Sequence, residues 1–142
     1  ISSWSHCCED RTVILDDLAD HLATAVPTIG LIVKGTMPAT PHVCLSLMEY
    51  GGSAPDLGFG MQGIKHEHAS VQLMTRGAPD DYDEPRTRIE SAFQALSKIQ
   101  GLTINGVFYL LVKPKQSPYL FARDDSKRVR FVVNFSVDKE PS

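Results

Sequence analysis

His66 and His68, separated by Glu67, form the strongest metal-like signal in the sequence. In a strand, residues at i and i+2 share a face, as two zinc ligands must. A third ligand is still needed, and His42 or Cys44 would have to bring it from a neighbouring strand. Nothing in the spacing demands that. The plainer reading is a pair of histidines facing solvent on a half-exposed strand. Gly58-Phe59-Gly60-Met61-Gln62-Gly63 matches the letters of G-x-G-x-x-G. In a dinucleotide fold that string follows a strand and opens a helix, so that the pyrophosphate meets the helix N-terminus. Here it opens a strand, and it reads as a loop. Kinase chemistry fails on length and on the missing H-R-D and D-F-G. No G-x-S-x-G is present and Cys44 falls within a strand, so neither serine nor cysteine has the neighbours of an activated nucleophile. The reading is therefore no catalytic residue, no cofactor and no bound metal.

Two charge clusters remain. Asp80, Asp81, Asp83 and Glu84 precede a helix, where they serve either as a functional acidic site or, more simply, as a solvated helix start. Between Lys113 and Arg130 stand six Lys/Arg (Lys113, Lys115, Arg123, Lys127, Arg128 and Arg130) against two Asp. That basic hairpin region suits contact with phosphate or with an acidic partner, and equally a solvated turn.

The whole chain, 142 residues with a net charge of −3, fits one domain able to bury roughly 70% of its unfolded surface. The charge argues against a broad basic face for duplex DNA. No apolar run approaches the ~20 residues of a membrane span. Cys7, Cys8 and Cys44 make no disulfide framework, which points to a reducing compartment with Cys44 as a small buried residue. Residues 1–12 show no periodicity and no signal-peptide pattern. They read as an added or out-of-frame leader, or a flexible arm, ahead of a domain spanning 13–138 and a short polar tail at 139–142.

The elements that would position these groups are legible from period and punctuation. Ile14, Leu18, Leu22 and Val26 recur every four residues and predict a first helix ended by Pro27. A short β run at Ile29–Lys34 follows. Next comes an alternating strand at His42–Tyr50, with Val43, Leu45 and Leu47 on one face. Gly51–Gly60 is a glycine-rich loop, Ile64–Thr75 a strand and Arg76–Tyr82 an acidic connector. The central helix runs from Asp83 to Gly101, with Asp83 as N-cap, Pro85 in the first turn and Gly101 at C′. Its apolar stripe is Ile89, Ala92, Phe93, Leu96 and Ile99. Strands follow at Gly106–Lys113, Tyr119–Ala122 and Arg128–Val137, the last with Val129, Phe131, Val133, Phe135 and Val137 facing inward. The order, without βαβ repeats, predicts an α+β domain: an antiparallel or mixed sheet packed against two helices.

Taken together, several segments resemble the tail terminator (minor capsid) proteins of long-tailed bacteriophages and prophages. They are L-D-D-L-A-D-H-L at Leu15–Leu22, the run from Tyr82-Asp83-Glu84-Pro85 to Ile99-Gln100-Gly101, the strand Val107–Val112 with Pro118, and the closing Arg130-Phe131-Val132-Val133-Asn134-Phe135. The similarity covers about Ile14 to Lys139. It implies a non-enzymatic virion subunit, assembled in the host cytoplasm and located at the tail–neck junction. Such a subunit forms a hexameric ring that caps the tail tube protein, ends its polymerisation and meets a neck or head-completion protein. DNA passes through the lumen without sequence readout. A neighbouring connector role, neck or head completion, is the close alternative. In that setting the acidic Asp80–Glu84 and basic Lys113–Arg130 patches would pair between neighbours. The Gly51–Gly60 loop, with Leu57 and Phe59, would meet tube or neck.

Overall fold

A computed structural model describes residues 14–51, 56–57 and 64–140, and of 56, 57 and 64–66 the backbone alone. Among the described residues two helices, α1 (Ile14–Ala25) and α2 (Asp83–Ser97), lie against one sheet. Its strands are β1 (Ile32–Lys34), β2 (Cys44–Tyr50), β3 (Asp56–Leu57), β4 (Ile64–Pro79), β5 (Gln100–Ile104), β6 (Val107–Pro114), β7 (Tyr119–Arg123) and β8 (Arg128–Lys139). The main order is β1-β2-β4-β8-β6-β5; β3 pairs with β4 and β7 with β8. β1 and β2 run parallel and every other pair is antiparallel, so the sheet is mixed. This is the α+β arrangement expected from the sequence.

The long strands β4 and β8 are the spine, paired from Glu67↔Lys139 to Pro79↔Arg128. β8 shares its other edge between β7, beside Val129–Val132, and β6, beside Phe135–Lys139. One face carries Leu45, Leu47, Val71, Leu73, Phe131, Val133, Phe135 and Val137, all fully buried beneath the helices. The helical stripe that meets them is Ile89, Ala92 and Leu96, with Ile99 buried just past the helix end, while Phe93 packs from a half-buried position. From α1, Ile14, Leu15, Leu18 and Leu22 join the same core.

The structure corrects several boundaries. β4 continues four residues past Thr75, because Arg76 is still paired to Arg130 before a bulge leads to Pro79. Asp83 is the first helical residue, not the cap: Tyr82 holds that position and makes no side-chain cap bond. The nearby carboxylate of Asp81 accepts from the Glu84 amide instead, at 3.4 Å. Gly101, with φ +64°, lies in β5 and not at C′, since the helix ends at Lys98. β5 itself went unread in the sequence. It is joined to β6 by Asn105-Gly106, both at positive φ (50° and 81°), a two-residue turn whose twist matches a hairpin. Finally, β8 reaches Lys139, two residues beyond the expected strand end.

The start of β2 is buried on both faces, Cys44 and Ser46 included. Residues 36–42 cover it from outside. Ser46 donates to the Thr36 carbonyl, and Cys44 Sγ lies 3.2 Å from Met37 Sδ. Arg76, fully buried, donates to the carbonyls of His42 (2.9 Å) and Pro41 (2.7 Å). A charge is tolerated there because both carbonyls aim at it.

Gly77 shows how closely β4 meets α2. A Cβ there would sit 2.7 Å from Pro85 Cγ and 3.0 Å from the Asp81 carbonyl. Gly77→Ala must therefore push the first turn of α2 away, and is expected to cost about 1–3 kcal/mol in urea unfolding. No loss would mean that the junction is slack.

Candidate functional site

The sequence-derived charge clusters meet within one chain at the end where β4, β7, β8 and α2 converge. Asp80, at φ +60°, pairs with Arg123 across 3.1 Å, and its amide donates to the Lys127 carbonyl. Both side chains are more than half exposed, so the bond adds little stability. Glu84 pairs with Arg88 at 2.9 Å along the helix. Asp83 is exposed at the helix start.

Arg128 and Arg130 both turn to Asp124, at 2.7 and 3.5 Å. Burial works against the Asp124 carboxylate. The backbone N–H and guanidinium of Arg128 outweigh it and hold the group below the usual carboxylate range. Asp124 Oδ1 also accepts from the amides of Ser126 and Arg128, which shapes the 124–128 turn and sets Lys127 at φ +63°. Arg128 further donates to the Ala39 carbonyl at 2.6 Å. Thus Arg123, Arg128 and Arg130 are engaged inside the chain. Lys113 and Lys115 are separate from them, on the helix-free face of the sheet, and neither has a carboxylate partner among the described residues.

His68 Nδ1 lies 2.6 Å from Asp138 Oδ1. Cys44 pairs in register with Arg76, eight residues along β4 from His68 and so roughly 26 Å away. His42 lies at that same far end, against Arg76 and Arg128. The strand register therefore keeps both from completing a site with His68. The His66 side chain, the Leu57 side chain, Phe59, and the Gly58–Gly63 string lie outside the described residues.

Sequence reasoning missed an apolar surface. Tyr119, Leu120 and Phe121 are consecutive in β7 and 42%, 55% and 53% exposed. Among the described residues β7 pairs only with β8, so its outer edge leaves backbone groups without a strand partner there. Leu120 lies beside Phe131, against whose ring Tyr82 packs edge-on at 5.2 Å while remaining 51% exposed. Large apolar side chains on an unpaired edge are what monomeric proteins avoid. The signal was present: three large apolar residues in a row cannot all face a core on one side of a strand.

The family model "Bacteriophage tail terminator protein" matches residues 12–141. No match is found among curated protein sequences. Among solved structures, a chain from "Virion of native gene transfer agent (GTA) particle" is similar at TM-score 0.59 and 12% identity, over 90% of this chain and 95% of that one. A second solved chain aligns at TM-score 0.52 and 11% identity, over 92% and 99%. At such identities the structures establish the shared fold. The family match runs through both helices and every strand of the sheet, and the chain belongs to the bacteriophage tail terminator protein family.

Proposed function

We propose that copies of this phage tail protein associate head to tail into a ring, hexameric as in the resemblance above, that caps the tail tube. The ring ends tube polymerisation and offers its other surface to a neck or head-completion protein, at the tail–neck junction of the virion. DNA crosses its lumen without sequence readout. The reading rests on the family match, and the observation in the molecule that carries it is β7. Its aromatic edge, unpaired among the described residues, gives one subunit a surface that a second protein chain can cover by strand addition or side-chain packing. A heterologous contact of this type closes into a ring when its rotation permits. Aromatic residues with a charged rim, here Tyr82, Tyr119 and Phe121 beside Asp81 and Arg123, have the make-up of interface anchors.

Native mass spectrometry tests this, alone and with tail-tube protein. The wild type is expected to give a ring, and Phe121→Asp to remain monomeric with an unchanged melting temperature, because the side chain is half exposed. A strict monomer of the wild type under both conditions would count against the reading.

A further inference from the structure

A polar cleft of about 390 Å³ opens on the helix-free face of the sheet, lined by His68, Ser70, Lys113, Lys115, Ser136 and Asp138. Strand register builds it. Tyr50, Ser70, Ser136 and Lys113 stand side by side on β2, β4, β8 and β6, one lateral row across four adjacent strands. His68 and Asp138 form the next row. Side chains at matched register project to the same side, so these donors converge. From beyond the end of β6, Lys115 reaches back over the row. Its Nζ donates to Ser70 Oγ at 3.0 Å and to the Tyr50 hydroxyl at 3.4 Å, and lies 5.1 Å from the centre of the Tyr50 ring. Ser70 is only 4% exposed, so the floor of the cleft is a recessed hydroxyl.

We propose that this cleft is a binding site for a phosphate group. Two ammonium groups, Lys113 and Lys115, face it, and neither pairs with a carboxylate among the described residues, which suits an anionic ligand. The carboxylate lining the cleft, Asp138, is held by His68 at 2.6 Å. Lys115 uses two of its three N–H donors on neutral oxygens and keeps one for a ligand. The Ser136 hydroxyl lies between the lysines, directly beside Lys113. Donors arriving from separate strands suit a tetrahedral oxyanion approached from several sides. A planar carboxylate is better matched by the flat fork of an arginine. The phosphate comes from one of two sources, free inorganic phosphate or the phosphodiester backbone of a nucleic acid strand. The exposed Tyr50 ring at the cleft end gives the second a surface on which to stack a base.

Amide NMR of the intact chain tests the site, with inorganic phosphate and a short oligothymidylate as separate titrants at constant ionic strength. Chloride and an oligoglutamate peptide serve as controls. Phosphate is expected to move the amides of Gly51, Ser70, Lys113, Lys115 and Ser136. Lys115→Met, which keeps the apolar stem, should weaken that binding roughly tenfold or more, the usual scale for one charge-assisted hydrogen bond. Lys113→Met should act likewise, and Ser136→Ala more mildly. Response to both titrants assigns a nucleic acid backbone, and response to phosphate alone assigns the free ion; either supports the site. Shifts that chloride reproduces, shifts from oligoglutamate alone, or equal affinity in Lys115→Met would overturn it. Because no step depends on oligomer formation, this outcome and the ring assay fail independently.

Discussion

Leu96→Ala is expected to lower the unfolding free energy by about 2–5 kcal/mol, and Phe93→Ala by only about 1–2 kcal/mol. Leu96 is fully buried between α2 and the sheet, so truncating it removes the transfer gain and leaves a cavity that close-packed neighbours fill poorly. Phe93 sits at the margin of the same stripe, its ring 6.2 Å from that of Phe135, with part of its surface in water. Read from spacing alone, Phe93 would be taken for the central core residue. Urea titration of both variants decides, and a larger loss for Phe93 would mean that α2 is rotated about its axis relative to this description.

The second large effect concerns α1 and the β5–β6 hairpin. Asp17 is fully buried, accepting from the Tyr109 hydroxyl through Oδ2 and from Asn105 Nδ2 through Oδ1 at 2.9 Å. Asn105 also donates to Asp20 at 2.9 Å, so one turn residue ties down two carboxylates of the helix. Tyr109→Phe strands that buried charge with half its partners, at a cost of about 2–3 kcal/mol. The pair also sets an alkaline limit. Burial, then the hydrogen bond and charge of Asp17, push the Tyr109 phenol far above its ordinary value near 10. The folded state thus favours the protonated phenol. Its contribution is complete below about pH 10, the unfolded value, and is lost as pH rises beyond it. In a spectrophotometric titration of the four tyrosines, the Tyr109 phenol should ionise only as the chain unfolds. Tyr109→Phe should flatten the stability loss above that pH. A Tyr109 that titrates near pH 10 in the folded protein would contradict the buried pair.

Much of this architecture is written in local pattern. The four-residue recurrence in α1 and the alternation of β8 each report a surface half covered by a core, and both elements form where expected. Patterns fail where neighbours distant in sequence decide the environment. Asp17 looks like one more acid at a helix start, favoured by the dipole, until Tyr109 arrives from 92 residues away. Cys44 and Ser46 sit on the polar side of an alternating strand, yet residues 36–42 fold over them. β5 has no alternation to find, being almost wholly exposed, and only its Asn-Gly turn marks it. The candidate site was legible in composition but not in partnership. The basic residues were visible, whereas Asp124 and Asp80 take up three arginines within the chain, leaving Lys113 and Lys115 apart. Whether a charge is spent internally depends on tertiary geometry, which spacing does not encode.

The proposed role is that of a building block working through its surfaces, and its direct test is tube growth. Purified tail-tube protein would be polymerised, the subunit added, and further tube protein supplied while length is followed by electron microscopy. A ring seated at one tube end and no further elongation are expected, with Phe121→Asp leaving growth unchecked. Tubes that lengthen at the same rate with the wild-type subunit present, and ends that stay bare, would contradict it.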